Sequence, residues 1–308
     1  SSSAIEYDSL IWLSGPYARV KVNENHLESI IYHPYIQYIG LESTKARAES
    51  RVLDLNLIPN NVYKLHSVYP NYKGQSLTIG IKEDRFDPED IDLMGRTTIT
   101  EAASEVLSYH ATEMATIIGG AGLTFVNGYG AAPEVQMVSS GFGDLMPESD
   151  NFYDTYGLTI QNHSYGGELE SFYGASAEAY DVYSNQDPYL LHVMSSGNSG
   201  HETPASGTYA GLSGWANLTG NYKNAKNNLV IGAVDSTGVL TPFSSVGPAD
   251  DGRIKPELVA YSTAGTSNAA ALVSGAAILL QEAYLDAYDE NASSSLIKAL
   301  LINGADDV

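Results

Sequence analysis

Apolar positions in this chain gather into short, dense runs: Leu77-Thr78-Ile79-Gly80-Ile81, Val135-Gln136-Met137-Val138, Leu158-Thr159-Ile160-Gln161-Asn162, Leu190 to Met194, and Leu229 to Val234. Runs this brief, rich in Val, Ile and Leu, predict strands buried on both faces, as in a parallel sheet. Longer segments between them read as helices: His110 towards Gly122, Asp150 to Tyr156, Ala175 to Tyr183, and the small-residue run after Gly265. Strands alternating with helices predict an α/β fold, a doubly wound, mostly parallel sheet with helices on both faces. Sites in such sheets lie beyond the carboxyl ends of the strands.

Residues 9–45 have a different rhythm. Leu10-Ile11-Trp12-Leu13 is apolar, and Ala18-Arg19-Val20-Lys21-Val22 alternates as a half-buried strand does. Asn23-Glu24-Asn25 caps a short helix through His26 to Ile31, His33-Pro34 ends it, and Tyr35 to Gly40 alternates again as a strand. The pattern predicts a small α+β appendage, residues 1–48, ahead of a main domain, residues 49–308. One helix is expected over Asn61 to Val68 in the approach between them.

Composition narrows the classes of partner. The 308 residues suffice for one large domain and its appendage. Asp and Glu number 37 against 15 Lys and Arg, a formal net charge of -22. Such a surface repels nucleic acid and anionic lipid, so neither is expected as a partner. With no Cys, disulfides and thiolate-held zinc are excluded. The apolar runs fall short of a bilayer core, so no membrane span is expected.

Three segments carry chemistry. Ser267, in Gly265-Thr266-Ser267-Asn268-Ala269-Ala270-Ala271, precedes a buried helix. Unpaired backbone N–H groups and the macrodipole there favour developing negative charge, although simple capping would also place a Ser or Thr at this point. A nucleophilic hydroxyl needs a base, and His110 opens a second small-residue helix in Ser108-Tyr109-His110-Ala111-Thr112-Glu113-Met114-Ala115. Asn198 follows an apolar strand in Ser195-Ser196-Gly197-Asn198-Ser199-Gly200, where its amide can donate to an oxyanion.

Acid, His, Asn, Ser is the chain order of the subtilisin-type triad. Gly-Thr-Ser-x-Ala-Ala, His-Ala-Thr-x-Met-Ala and Ser-Gly-Asn-Ser-Gly resemble, in that order, the nucleophile, histidine and oxyanion boxes of the subtilisin-like serine proteases, the subtilases. The turn wording around Glu83 and His163 resembles an outlying, Bacteroidetes-type branch. The resemblance implies a secreted or cell-surface bacterial endopeptidase acting on protein or peptide substrates. Ser267 would be its nucleophile, His110 its base, and Asn198 with the Ser267 N–H its oxyanion hole. Gln161-Asn162-His163-Ser164-Tyr165-Gly166-Gly167 resembles the substrate strand. There Ser164, Tyr165 and Gly166 would pair with an extended peptide, Tyr165 standing in the place of a pocket-wall residue. The appendage resembles the C-terminal half of an inhibitory propeptide, with Glu42 to Glu49 spanning the junction; the enzyme's own propeptide is then a partner. Subtilases often bind Ca²⁺, but Asp87-Pro88-Glu89-Asp90-Ile91-Asp92 reads as a solvated turn, so neither a metal nor another cofactor is assigned.

The carboxylate departs from the family, which ends its first core strand with Asp in an Asp-Ser-Gly or Asp-Thr-Gly turn. Here the turn is Lys82-Glu83-Asp84-Arg85-Phe86-Asp87, without Gly. Leu77, Ile79 and Ile81 share one strand face, and the next residue of that parity is Glu83. Asp84 is the rival, on the opposite face, and Asp87 a third choice. Ala271 replaces the Pro that follows Ala-Ala in the family, and only Tyr261 to Ala264 separate Ala260 from Gly265, where the family has a longer loop. The missing Asp-x-Gly turn leaves open a pseudoprotease, or an autoinhibited zymogen, that binds peptides. An α/β-hydrolase esterase is disfavoured, because that fold needs Gly-x-Ser-x-Gly with Ser ahead of His.

Overall fold

The computed structural model describes residues 7–13, 15–41, 46–48 and 55–307. In chain order the strands are β1 Ser9–Trp12, β2 Ala18–Lys21, β3 Arg47–Ala48, β4 Thr78–Lys82, β5 Thr97–Ile99, β6 Gln136–Ser140, β7 Leu158–His163, β8 Tyr165–Gly166, β9 Leu191–Ser195, β10 Leu229–Val234 and β11 Leu258–Tyr261. The α-helices are α1 Leu27–Ile31, α2 Val62–Val68, α3 Tyr109–Gly119, α4 Asp150–Tyr156, α5 Ala175–Gln186, α6 Thr266–Tyr288 and α7 Ser294–Asn303.

A 7-stranded sheet in the order β11-β10-β9-β7-β4-β6-β5 forms the frame, every neighbouring pair parallel. Alternate side chains along each strand feed different cores. Leu229 and Ile231 join Ile79, Ile81, Ile160, Leu191 and Val193 against α3 and α6. Val230 and Met194 face the other way, with Ala177 and Tyr180 of α5. This two-sided burial explains why the strands read as near-continuous apolar runs. Fully burying each such Ile or Leu contributes about 1.5–3 kcal/mol. From β4 the chain crosses to β5 and β6 on one side, then to β7 and onward on the other, so strand order reverses beside β4. Ligands of doubly wound sheets bind at that switch, beyond the carboxyl ends.

Helix α6 packs on α3 and across β7, β9, β10 and β11. Its 23 residues are long and apolar enough to cross a bilayer by length and composition, contrary to the reading of the apolar runs, but 67% of that apolar window is buried inside the fold. It is the central core helix. Small residues make this packing possible: a Cβ on Gly275 would meet Ala131 Cβ at 2.7 Å.

The appendage contains the β1–β2 antiparallel pair and α1; the Asn23 side chain accepts from Asn25 N at 3.0 Å and caps the 3-10 turn Glu24–His26 that leads into α1. The strand expected over Tyr35 to Gly40 does not form; that stretch is turn and irregular backbone. A strand needs a partner ladder, and β1 and β2 pair only with each other among the described residues. Tyr35 and Leu41 stay exposed. Tyr17 and Tyr38 lie near α5: partial burial, then Glu178 beside Tyr17, and Glu170 and Glu178 beside Tyr38, raise both phenols. Of the expected junction Glu42 to Glu49, residues 42–45 and 49 lie outside the described residues. Residues 46–48 are described, and β3 pairs antiparallel with β8, Arg47 opposite Gly166 and Ala48 opposite Tyr165.

Candidate active site

The carboxyl ends of β4, β7 and β9 and the N-termini of α3 and α6 meet on one rim. Glu83 lies one residue beyond β4, held by its N–H donating to Ser140 O at 2.8 Å. Leu77, Ile79 and Ile81 all enter the core under α3 and α6, and Glu83, of the same parity, is fully buried facing α3. Its Oε2 is 3.4 Å from His110 Nδ1, and its Oε1 accepts from Asp84 N at 3.1 Å. Burial pushes the Glu83 carboxyl up from its ordinary value, against the opposing pull of His110 beside it. Desolvation therefore outweighs the pair's attraction, as is usual for buried ion pairs. Asp84 turns away: it is half-buried, and its Oδ1 accepts from Ser104 Oγ at 2.9 Å. Asp87 is also half-buried and caps the N–H of Glu89 at 3.0 Å.

His110 sits in the first turn of α3, started by Ser108, whose hydroxyl accepts from Ala111 N at 3.3 Å. One turn on, Glu113 accepts from Asn268 Nδ2 at 2.8 Å, and both are buried. That bond ties the histidine helix to the residue after Ser267. The sequence carried its signal as a lone acid in an otherwise small and apolar helix, a signal the motif reading passed over.

Ser267 is fully buried at the start of α6. Its Oγ donates to Ser164 O at 2.9 Å, and Ser164 Oγ donates to Ser267 O at 3.1 Å. Asn162 supports the pair, donating to Ser164 Oγ at 3.0 Å and accepting from Ser274 Oγ at 3.0 Å. Asn198 is oriented by Thr266, whose N–H and hydroxyl donate to Asn198 Oδ1 at 2.9 and 3.2 Å. Thr266 Oγ1 also accepts from Gly197 N at 3.1 Å. Fixing Oδ1 in this way turns Nδ2 to the opposite side. Gly197 has φ +117, and a Cβ there would overlap Thr219 Oγ1, so Gly is required at this turn.

The substrate strand is built from beneath. Tyr165 is fully buried, packed on Phe142 and Tyr222 with ring centroids at 5.1 and 5.6 Å. Its hydroxyl lies 3.0 Å from His163 Nδ1, and His163 Nε2 lies 3.0 Å from His192 Nδ1. Burial, then the charge of Lys82, pulls His192 down to about 3; burial, then His192, Lys82 and Lys223, pulls His163 well below its ordinary value. Folding therefore holds both rings neutral. Below the unfolded value of 6.5 the unfolded chain binds protons that the folded His192 refuses until about 3, so stability falls as pH drops through that window. The melting temperature should fall between about pH 7 and about pH 5, and fall less in His192→Gln. An equally steep fall in the variant would assign the acid sensitivity to other groups.

The acid-rich turn does not suit the calcium that the resemblance allows. Asp87 and Asp90 cap backbone N–H groups two residues on, and Asp92 caps those of Leu123 and Thr124. Among the described residues no group of three or more acidic or His side chains converges on a metal position.

This fold and site define a class, an α/β hydrolytic enzyme with a Ser, a His and a buried carboxylate at one sheet rim. The model of the subtilase family matches residues 74–308, and the chain belongs to that family, as a serine endopeptidase. Solved structures share the fold. The prenylagaramide maturation protease PagA has TM-score 0.59 and 19% identity, covering 80% of this chain and 89% of PagA. The self-cleaved protease domain of PatA gives 0.55 and 22%, over 76% and 90%. A cold adapted subtilisin-like serine proteinase gives 0.55 and 18%, over 76% and 84%.

Proposed function

We propose that the chain is a serine endopeptidase held as a zymogen, with residues 1–48 as propeptide and residues 49–308 as the peptidase domain. The observation that carries this reading is the β3–β8 pair. Chain segment 47–48 lies as an extended peptide on Tyr165–Gly166, one residue from the Ser164 carbonyl that holds the Ser267 hydroxyl. Extended substrates bind such edges by main-chain pairing, with side-chain pockets adding selectivity. Ser164, Tyr165 and Gly166 are accordingly the substrate-binding strand, and the appendage blocks it with its own chain.

In the reaction, Ser267 Oγ leaves its bond to Ser164 O and attacks the scissile carbonyl as its proton passes to His110 Nε2. Glu83, at the Nδ1 side, fixes the tautomer and stabilises the imidazolium. The tetrahedral oxyanion takes the Asn198 side-chain N–H and the Ser267 backbone N–H, each such donor contributing about 10²–10³ in turnover. His110 then returns the proton to the leaving amine, and water reverses the sequence to free the acid.

Fluorophosphonate labelling tests the reading. The intact chain should label slowly at Ser267, and faster once its N-terminal segment has been cut. A synthetic peptide spanning residues 7–48, added to the cut enzyme, should slow labelling again. Rapid labelling of the intact chain, with no effect of the peptide, would remove the zymogen; labelling at another Ser would remove the nucleophile.

A further inference from the structure

Among the described residues of this acidic protein three lysines are buried: Lys82, Lys223 and Lys255. Two of them serve the frame. Lys82 Nζ pairs with Glu148 at 2.8 Å, and Lys255 Nζ with Glu257 at 2.7 Å, where Lys298 also joins. Lys223 occupies a different place. It lies in the 3-10 turn Asn221–Asn224, fully buried with segment 46–48 seated, and its Nζ donates to Thr219 Oγ1 at 2.7 Å.

That turn reaches both walls of the cleft. Tyr222 Oη donates to Tyr165 O, on the substrate strand, at 3.3 Å. Thr219, the hydroxyl that Lys223 holds, presses on Gly197, and its N–H donates to Ser196 O at 3.3 Å, within the oxyanion strand. Lys223 thus stands behind the gap between strand 164–166 and turn 196–198. The β3–β8 register sets which substrate side chain enters that gap. With Arg47 opposite Gly166 and Ala48 opposite Tyr165, a peptide bound in this register presents its next residue opposite Ser164, whose carbonyl holds the nucleophile. That is the residue whose carbonyl is attacked.

We propose that Lys223 makes this endopeptidase selective for an acidic residue, Glu before Asp, on the acyl side of the cleaved bond. The inference rests on the peptidase reading above and specifies its substrate class. An ammonium removed from water behind the substrate strand attracts a carboxylate strongly, because little solvent screens the pair. It also disfavours a basic side chain, which would leave two like charges buried together. Glu is preferred over Asp because the ammonium lies behind the gap rather than at its mouth, so the longer side chain reaches it. The chain's own sequence agrees: the residue after Ala48 is Glu49, followed by Ser50. The self-cleavage product should therefore end at Glu49, one residue beyond the domain boundary proposed above.

The test uses the full chain for self-cleavage and, for the substrate panel, the chain with its N-terminal segment cut, with four fluorogenic peptides, Ala-Arg-Ala followed by Glu, Gln, Leu or Lys before the reporter. The Glu peptide should be cleaved with kcat/KM about tenfold to a hundredfold above Gln, with Lys poorest. Mass spectrometry of the incubated chain should find the bond after Glu49 cut, and Glu49→Gln should slow that cut by a similar factor. In Lys223→Met the Glu to Gln ratio should collapse towards one while the Leu peptide is still cleaved, which also reports that the variant folds. If it does not fold, the wild-type panel decides alone. Cleavage of Gln or Leu as fast as Glu overturns the selectivity, as does a chain that labels at Ser267 yet makes no product ending in Glu. Failure of every peptide together with absence of fluorophosphonate labelling overturns instead the peptidase reading beneath it.

Discussion

Ser267→Ala should abolish peptide hydrolysis, self-cleavage and fluorophosphonate labelling together. Loss of a triad nucleophile costs about 10⁶ in turnover, and the oxyanion hole and binding retain only about 10³–10⁴ over water. Folding should be nearly untouched. The variant loses one buried hydrogen bond, Ser267 Oγ to Ser164 O, a net cost of about 1 kcal/mol. It gains an Ala, the best helix former, in the first turn of α6. The variant chain should therefore accumulate uncut, with a melting temperature within a few degrees of the parent. Persistent labelling at a second serine would sink the assignment. So would loss of activity accompanied by a large fall in melting temperature, because the defect would then be one of structure.

The sheet was legible because its inner strands are buried on both faces. β4, β7, β9 and β10 appear in the sequence as apolar runs with boundaries shifted by at most a residue or two. The edges were not legible. β5, Thr97-Thr98-Ile99, is half exposed and polar, so it carries no run to detect. β11, Leu258 to Tyr261, follows Pro256 and is only partly buried, and it is not among the strands that the apolar runs predict. The appendage misled in the opposite direction. Alternation in Tyr35 to Gly40 predicts a strand, but alternation marks only what a strand would bury, and no ladder is offered there. At the site, Ser267, His110 and Asn198 stood in recognisable boxes. Glu113 and Thr266, which tie the helices and orient the amide, bond to residues distant in the chain, and only the fold brings these together. Lys223 carried no motif at all; its meaning comes from the two walls that its turn touches.

Glu83→Gln should lower turnover by about 10⁴, the cost of neutralising the carboxylate of a serine protease triad while keeping its geometry. Gln matches Glu in size, so packing against His110 survives while the charge at the Nδ1 side is lost. Substrate affinity should change little, because Glu83 is fully buried and lies behind the histidine. Stability should hold or rise: burial already pushes the Glu83 carboxyl up from its ordinary value, so the folded state bears a cost for the charge that Gln does not carry. The kinetic pKa of the base should drop in the variant, since a neighbouring anion favours the imidazolium and its removal disfavours it. Activity of Glu83→Gln, such as remains, should then persist to lower pH than that of the parent. Asp84→Asn is the control. Its carboxylate bonds to Ser104 on the opposite side of the strand end, and turnover there should change by no more than about threefold, as for a half-exposed polar swap remote from the reacting atoms. A dead Asp84→Asn beside an active Glu83→Gln would overturn the parity of β4 as the device that selects the acid. Full activity in both would place the carboxylate of the triad elsewhere in the chain.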